Sequence, residues 1–230
     1  GDAKPERSIH RFLRKILPAG ASGSFVVARG GERVYCRGSG LADRRARAQA
    51  NCDTTYDVMS MTKQFTAAAI LKLQMKGKLD VTDPIGEYLG PVPADKRAIT
   101  VQQLLTHTSG IQNHVAVPGY LKIFKTDITL ETKPSGEEIV TEFFKLPKEF
   151  APGETWAYDN TGYYLLGFII EKTSGRSYYE FLDQRIFKPL GMNATQDRDP
   201  RNVIKNRAMG YEWEDGKLVG RDYDLTDVFS

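Results

Sequence analysis

The sequence predicts an α+β fold in which a helical domain lies beside an antiparallel sheet. Three observations carry this: a strand pair with a Gly-Gly turn near the start, a succession of apolar-periodic helices after it, and no strand–helix alternation of the kind that builds a parallel sheet. With 230 residues the chain has ample length for a buried core, as one large domain or two small ones.

The elements follow from local patterns. Residues 8–17 form an amphipathic helix with Ile9, Phe12, Leu13, Ile16 and Leu17 on one face, ended by Pro18 and Gly20. Residues 24–28, a turn at Gly30-Gly31 and residues 33–38 read as a β-hairpin. Residues 41–56 are polar and irregular, and residues 59–76 are the strongest helix, closed by Gly77. Asp83-Pro84 punctuates the start of segment 85–89, and Thr100 caps a short helix over 101–106. Residues 112–132 read as a long connection with little regular structure. Ser135 caps a helix to about Phe144, with Glu138 at the capping-box position. Helices over 162–173 and 178–187 follow, separated by Ser174-Gly175-Arg176, and Pro189-Leu190-Gly191-Met192 is a turn. Short strands are expected around 210–213 and 217–219.

Composition excludes several classes. Apolar content of 40% and charge of 27% are ordinary for a globular protein. A net charge of +3 is too small to imply nucleic acid or an anionic membrane, and Arg44-Arg45-Ala46-Arg47 reads as a solvated loop. The longest apolar run, residues 163–170, is far short of the ~20 residues of a membrane span. The start at Gly1, without a charged-then-apolar leader, reads as a mature or trimmed form. Cys36 and Cys52 have no metal spacing; a disulfide needs their Cα atoms within about 7 Å, and two unrelated thiols are the favoured reading. His10 and His114 offer no metal-ligand spacing. Gly38-Ser39-Gly40 lacks the third glycine of a dinucleotide fingerprint, and there is no Walker A motif. Neither a metal nor a cofactor is expected.

The chemistry-bearing stretch is Ser60-Met61-Thr62-Lys63, running into Gln64-Phe65-Thr66-Ala67-Ala68-Ala69. A helix starting near Ser60 puts positions i and i+3 on one face. It also sets unpaired N–H groups and a partial positive charge beside the serine. A hydroxyl nucleophile with an amine one turn away is the layout of an acyl-enzyme hydrolase. Tyr158-Asp159-Asn160 opens the apolar run 162–171, and His107-Thr108-Ser109-Gly110 lies between the two.

In these three ordered motifs the chain resembles the serine β-lactamase and penicillin-binding-protein superfamily, specifically its class C β-lactamase, D,D-peptidase and esterase branch. That branch pairs Ser-x-x-Lys with Tyr-x-Asn, where the class A enzymes carry Ser-Asp-Asn. The resemblance runs from about Gly23 to the C-terminus. It implies a β-lactamase/D,D-peptidase-like fold as a single unit: N-terminal helix and hairpin at 8–60, a helical region with the motifs at 60–200, and a tail at 201–230.

The resemblance also implies roles. Ser60 is the nucleophile, and Lys63 takes its proton or holds Tyr158 ionised. An ordinary phenol, with a pKa of about 10, is a poor base unless a cation favours its phenolate; Lys63 and Tyr158 therefore make sense as a coupled pair. Asn160 binds a substrate carbonyl and holds Lys63. Trp156, Tyr163, Tyr164, Tyr178 and Tyr179 read as core and domain-interface aromatics in preference to a sugar platform, although Trp156 precedes the site closely enough to line it. One oxyanion-hole donor is the Ser60 N–H. His107 is assigned to the scaffold, with no Ser-His-Asp triad.

Family members usually continue past the counterpart of Ser230 with strands that complete the sheet. One of those strands bears Lys-Thr-Gly or His-x-Gly, and no such triplet lies at a suitable place here. The sheet is therefore expected to be incomplete in this chain, its remaining strands coming from a second chain or a longer natural chain, unless this is a compacted relative. The leading expectation is a serine hydrolase acting on a β-lactam, a D-amino-acid peptide or a small ester. The alternative is a catalytically silent binding protein or a fragment that needs a complementing chain.

Overall fold

The computed structural model describes residues 3–17, 20–117, 135–197 and 203–221. Two compact units make up the chain: Gly1–Asp57 with Arg198–Asp224, and Val58–Asp197 with Leu225–Ser230.

The first unit opens with helix α1 (Ala3–Ile16) and the antiparallel pair β1 (Gly23–Arg29) and β2 (Glu32–Ser39). Gly30 and Gly31 join them at φ +61° and +83°. A two-residue turn with both φ positive matches the twist of the strands and excludes most other residues. Helix α1 packs on β2, where His10 Nδ1 lies 3.2 Å from the Tyr35 hydroxyl and Glu6 pairs with Arg37 at 3.4 Å. The expected apolar face is only partly covered: Ile9, Leu13 and Leu17 are half-buried, whereas Phe12 and Ile16 are exposed. Pro18 lies outside the described residues.

Residues 41–56 are not irregular throughout, because β3 (Leu41–Asp43) pairs with β4 (Ala48–Gln49). Strands this short carry too few side chains for a period-2 signal. Cys36 and Cys52 are bonded, with Cα atoms 6.0 Å apart, which corrects the expectation of two unrelated thiols. The close pass of β2 against the following loop brings them together. A Cβ at Gly38 would sit 1.7 Å from the Ala50 carbonyl oxygen, so only glycine permits that approach. The expected tail strands are present as β5 (Gly210–Glu214) and β6 (Lys217–Arg221). Among the described residues each sheet has two strands and none joins a larger one, so the sheet is incomplete as expected.

The second unit is helical. A 3-10 turn, Met59–Met61, leads into α2 (Thr62–Met75), followed by α3 (Gly86–Leu89) and α4 (Val101–Leu105). Then come α5 (Gly136–Lys145), α6 (Thr161–Ser174) and α7 (Tyr178–Leu182), which runs on as a π turn, Asp183–Phe187. Capping boxes start α4 (Thr100 with Gln103), α5 (Ser135 with Glu138) and α7 (Ser177 with Glu180), each satisfying two orphan N–H groups. Helix α6 is the hub. It is apolar all round, and every residue from Thr161 to Ile170 is buried among α2, α3, α4, α5 and α7. Leu165, Leu166, Ile169 and Ile170 are fully enclosed, and truncating any of them to alanine costs about 2–5 kcal/mol. Gly175, at φ +68°, ends the helix. No helix among the described residues is long and apolar enough to cross a membrane. In the predicted connection a short 3-10 turn, His114–Ala116, appears, and residues 118–134 lie outside the described residues.

Candidate active site

Ser60 sits in the 3-10 turn that feeds α2, and Lys63 follows one turn later. The turn starts from Met59, whose backbone is left-handed at φ +48°. The Ser60 N–H falls in the first turn, where helical backbone donors have no partner in the helix. Ser60 is exposed, and the Lys63 side chain is buried, 6% accessible. Lys63 Nζ donates to Asn160 Oδ1 at 2.7 Å and to Ser60 Oγ at 3.3 Å. The Tyr158 hydroxyl donates to Ser60 Oγ at 2.7 Å. Nζ also stands 5.1 Å from the centre of the Tyr158 ring and 5.4 Å from that of Tyr163. The sequence-predicted Ser60, Lys63, Tyr158 and Asn160 thus meet in one contact set across 97 residues of chain.

Two tyrosines face Lys63, and their settings differ. Burial pushes the Tyr163 phenol up, with further contributions from Tyr158 and Asp159, and it donates to the Leu105 carbonyl at 3.0 Å. It therefore stays a phenol. Tyr158 is part-exposed and reaches the serine.

The loop carrying Tyr158 and Asn160 is held by backbone bonds to the His-Thr-Ser-Gly segment. Gly153 N–H donates to Thr108 O at 2.8 Å, Ala157 N–H to His107 O at 3.0 Å, and Glu149 N–H to Gly110 O at 2.8 Å. Gly110 is at φ +76°, and a Cβ there would lie 2.2 Å from the Phe150 carbonyl oxygen. This motif is scaffold, as the sequence reading assigns it. Among the described residues, Ser60 Oγ has Lys63 and Tyr158 as partners and does not bond to His107. Trp156 is exposed, 62% accessible, and meets His107 edge-on at 6.1 Å, so it is not a core aromatic.

Sequence reasoning missed Asn113 and Thr161. Asn113 Oδ1 accepts the Asn160 N–H at 3.3 Å. Thr161 Oγ1 donates to Gln112 O at 2.9 Å and accepts the His114 N–H at 2.9 Å. These bonds pin Asn160 at the head of α6. They span 47 or 49 residues, and no local pattern announces them. Among the described residues no cluster of His, Cys, Asp and Glu could hold a metal ion.

The family model described as Beta-lactamase matches residues 15–229. The chain belongs to the beta-lactamase family. Among curated members it is 33% identical over 218 residues to PbpX of Bacillus subtilis strain 168, named as a penicillin-binding protein; the match covers 93% of this chain and 50% of that one. Among solved structures, the octameric penicillin-binding protein homologue from Pyrococcus abyssi matches with a TM-score of 0.76 and 33% identity, over all of this chain and 53% of that one. A D-stereospecific amidohydrolase from Streptomyces matches with a TM-score of 0.63 and 31% identity, over 79% of this chain and 56% of that one. The chain spans between 40% and 50% of the length of the curated relatives it matches. Its fold is that of the beta-lactamase and penicillin-binding proteins, with α+β content and small antiparallel sheets.

Proposed function

We propose that Ser60 is the nucleophile of an acyl-transfer serine hydrolase acting on an amide or ester: a β-lactam, a D-amino-acid peptide or a small ester. The observation that carries this reading is the meeting of Lys63 Nζ and the Tyr158 hydroxyl at Ser60 Oγ, at 3.3 and 2.7 Å. Both donate to Oγ in the resting arrangement. Proton abstraction requires one of them to arrive deprotonated and accept the serine proton instead. Tyr158 is the nearer, and Lys63 supplies the positive charge that a phenolate there would face. Asn160 fixes Lys63 and, through its NH2, offers a donor to a substrate carbonyl. The Ser60 N–H serves as one oxyanion donor. Trp156, exposed and in edge-on contact with His107, is the candidate side chain for lining the substrate.

The amide part of this range is supported by relatives whose names refer to penicillin binding and to D-stereospecific amide hydrolysis. Because the chain spans about half the length of its curated relatives, the activity is proposed for the natural protein with its remaining strands, supplied by a longer chain or by a second one.

The test is intact mass after incubation with a fluorophosphonate or a fluorescent penicillin. One covalent adduct, mapped to Ser60 and absent from Ser60→Ala, supports the reading. No adduct in the full-length protein favours the alternative of a silent binding protein.

A further inference from the structure

The scaffold histidine has a second relationship to the site. His107 O accepts the Ala157 N–H at 3.0 Å, and His107 Nδ1 accepts the Asp159 N–H at 3.3 Å. The backbone donors on both sides of Tyr158 therefore end on one residue. Its ring also lies against the phenol: the His107 and Tyr158 centroids are 4.6 Å apart at a 38° tilt. Tyr163 flanks the imidazole at 5.1 Å, and Trp156 meets it edge-on. His107 is held at φ +58°, a conformation that costs a non-glycine residue about 1–2 kcal/mol. The surrounding bonds enforce it, and strain kept in this way clusters beside functional groups. Asp159 completes the cradle. Its buried carboxylate accepts the Gly162 N–H in the first turn of α6, so the peptide that His107 grips is fixed on its other side to the core helix.

We propose that His107 is the positioning residue of Tyr158. Its Nδ1 and its carbonyl clamp the Ala157–Asp159 backbone, and its ring face holds the phenol against Ser60 Oγ. The proposal rests on the acyl-enzyme reading of Ser60 and Tyr158. It gives the histidine of the His-Thr-Ser-Gly motif a task that neither burial nor a turn requires. A histidine serving only to close the turn would need no ring acceptor aimed at the Asp159 amide.

The experiment measures the rate of Ser60 acylation by a fluorescent penicillin in the full-length natural chain, with Ser60→Ala as blank. His107→Phe keeps a flat ring beside Tyr158 and removes Nδ1. It is expected to slow acylation by about ten- to a hundred-fold, the scale of a misplacement near 1 Å at a reacting group. His107→Asn restores an oxygen acceptor near the Nδ1 position, and asparagine tolerates positive φ, so it should recover most of that loss. In a Tyr158→Phe background, His107→Phe should slow acylation no further, because groups acting as a unit are not additive. Wild-type rates in His107→Phe, an undiminished loss in the Tyr158→Phe background, or an Asn variant no faster than Phe would each overturn the proposal. Should His107→Phe fold poorly, 15N shifts of the wild-type ring decide the contact. A bare Nδ1 with the proton on Nε2 supports it, and a proton on Nδ1 overturns it. If wild-type Ser60 takes no label, the proposed function fails, while the ring shifts still judge the clamp by itself.

Discussion

Lys63 Nζ lies closer to Asn160 Oδ1, at 2.7 Å, than to Ser60 Oγ, at 3.3 Å. The lysine is therefore anchored by the amide and only leans on the nucleophile. A buried ammonium with one firm acceptor depends on that acceptor. Asn160→Ala should cost about 1–3 kcal/mol, the penalty for stranding a buried donor. Asn160→Asp keeps an oxygen in place and should melt near the wild type. Thermal unfolding of the two variants checks this, and an unchanged midpoint in Asn160→Ala would show that Lys63 finds another acceptor.

The proton-transfer pair makes a kinetic prediction. Lys63→Ala and Tyr158→Phe should each lower the acylation rate by about 10²–10⁴-fold, the usual worth of general acid–base catalysis. The double variant should fall little below the worse single, since both groups serve one proton on Ser60 Oγ. Single-turnover rates with a fluorescent penicillin or an activated ester measure all three. Strictly additive losses would mean that the two side chains act independently.

Much of this was written in local sequence. Thr100, and Ser135 with Glu138, announce their helices because a cap is a device of a few neighbouring residues, and both caps form. Gly30-Gly31 announces the hairpin for the same reason. The apolar run 163–170 reads as a helix, and its burial on every side follows from having no polar stripe. Long-range pairings were not legible. The Cys36–Cys52 bond depends on the close pass of β2 by Ala50, and a spacing of 16 residues carries no distance. Asn113 reaches Asn160 only because the tertiary fold brings two loops together. The family resemblance, through the order of its motifs, supplied what periodicity could not: the expectation that residues 60 and 158 would meet.

Alkaline pH should weaken the helical unit through Tyr178. Burial pushes its phenol up to about 12, Asp197 adds to the rise, and the 2.6 Å bond with the Thr66 hydroxyl acts against it. In the unfolded chain the phenol titrates at about 10. Between pH 10 and 12 the unfolded state has released a proton that the folded state still holds, so rising pH favours unfolding. The contribution is fully present below about pH 10 and is lost towards pH 12, amounting to about 2–3 kcal/mol. Tyr88, also raised to about 12, mainly by burial and by its bond to Asp83, acts in the same window. The diagnostic quantity is therefore the difference between wild type and Tyr178→Phe in melts taken from pH 9 to 12. The variant starts less stable, having lost the Thr66 partner, and should decline less steeply. Parallel curves would show that Tyr178 does not titrate differently in the two states.

Met59 offers the most local test of how the nucleophile is aimed. It sits at φ +48° immediately before Ser60, and its side chain is exposed, so packing does not explain the conformation. The turn explains it: Thr62 N–H bonds back to Met59 O and Ser60 O, and Met61 N–H to Val58 O at 3.0 Å, winding the chain tightly into α2. A left-handed backbone costs a residue with a Cβ about 1–2 kcal/mol, and a β-branched residue more. Met59→Gly removes the clash and adds freedom to the unfolded chain, two effects of similar size, so its midpoint should stay within a few degrees of wild type or rise slightly. Met59→Val should melt lower by about 2–4 °C for each kcal/mol of added strain. If the turn aims Ser60, acylation should follow the same order, with glycine close to methionine and valine well below both. A valine variant that melts and acylates like the wild type would show that the positive φ at Met59 is incidental to the placement of Ser60.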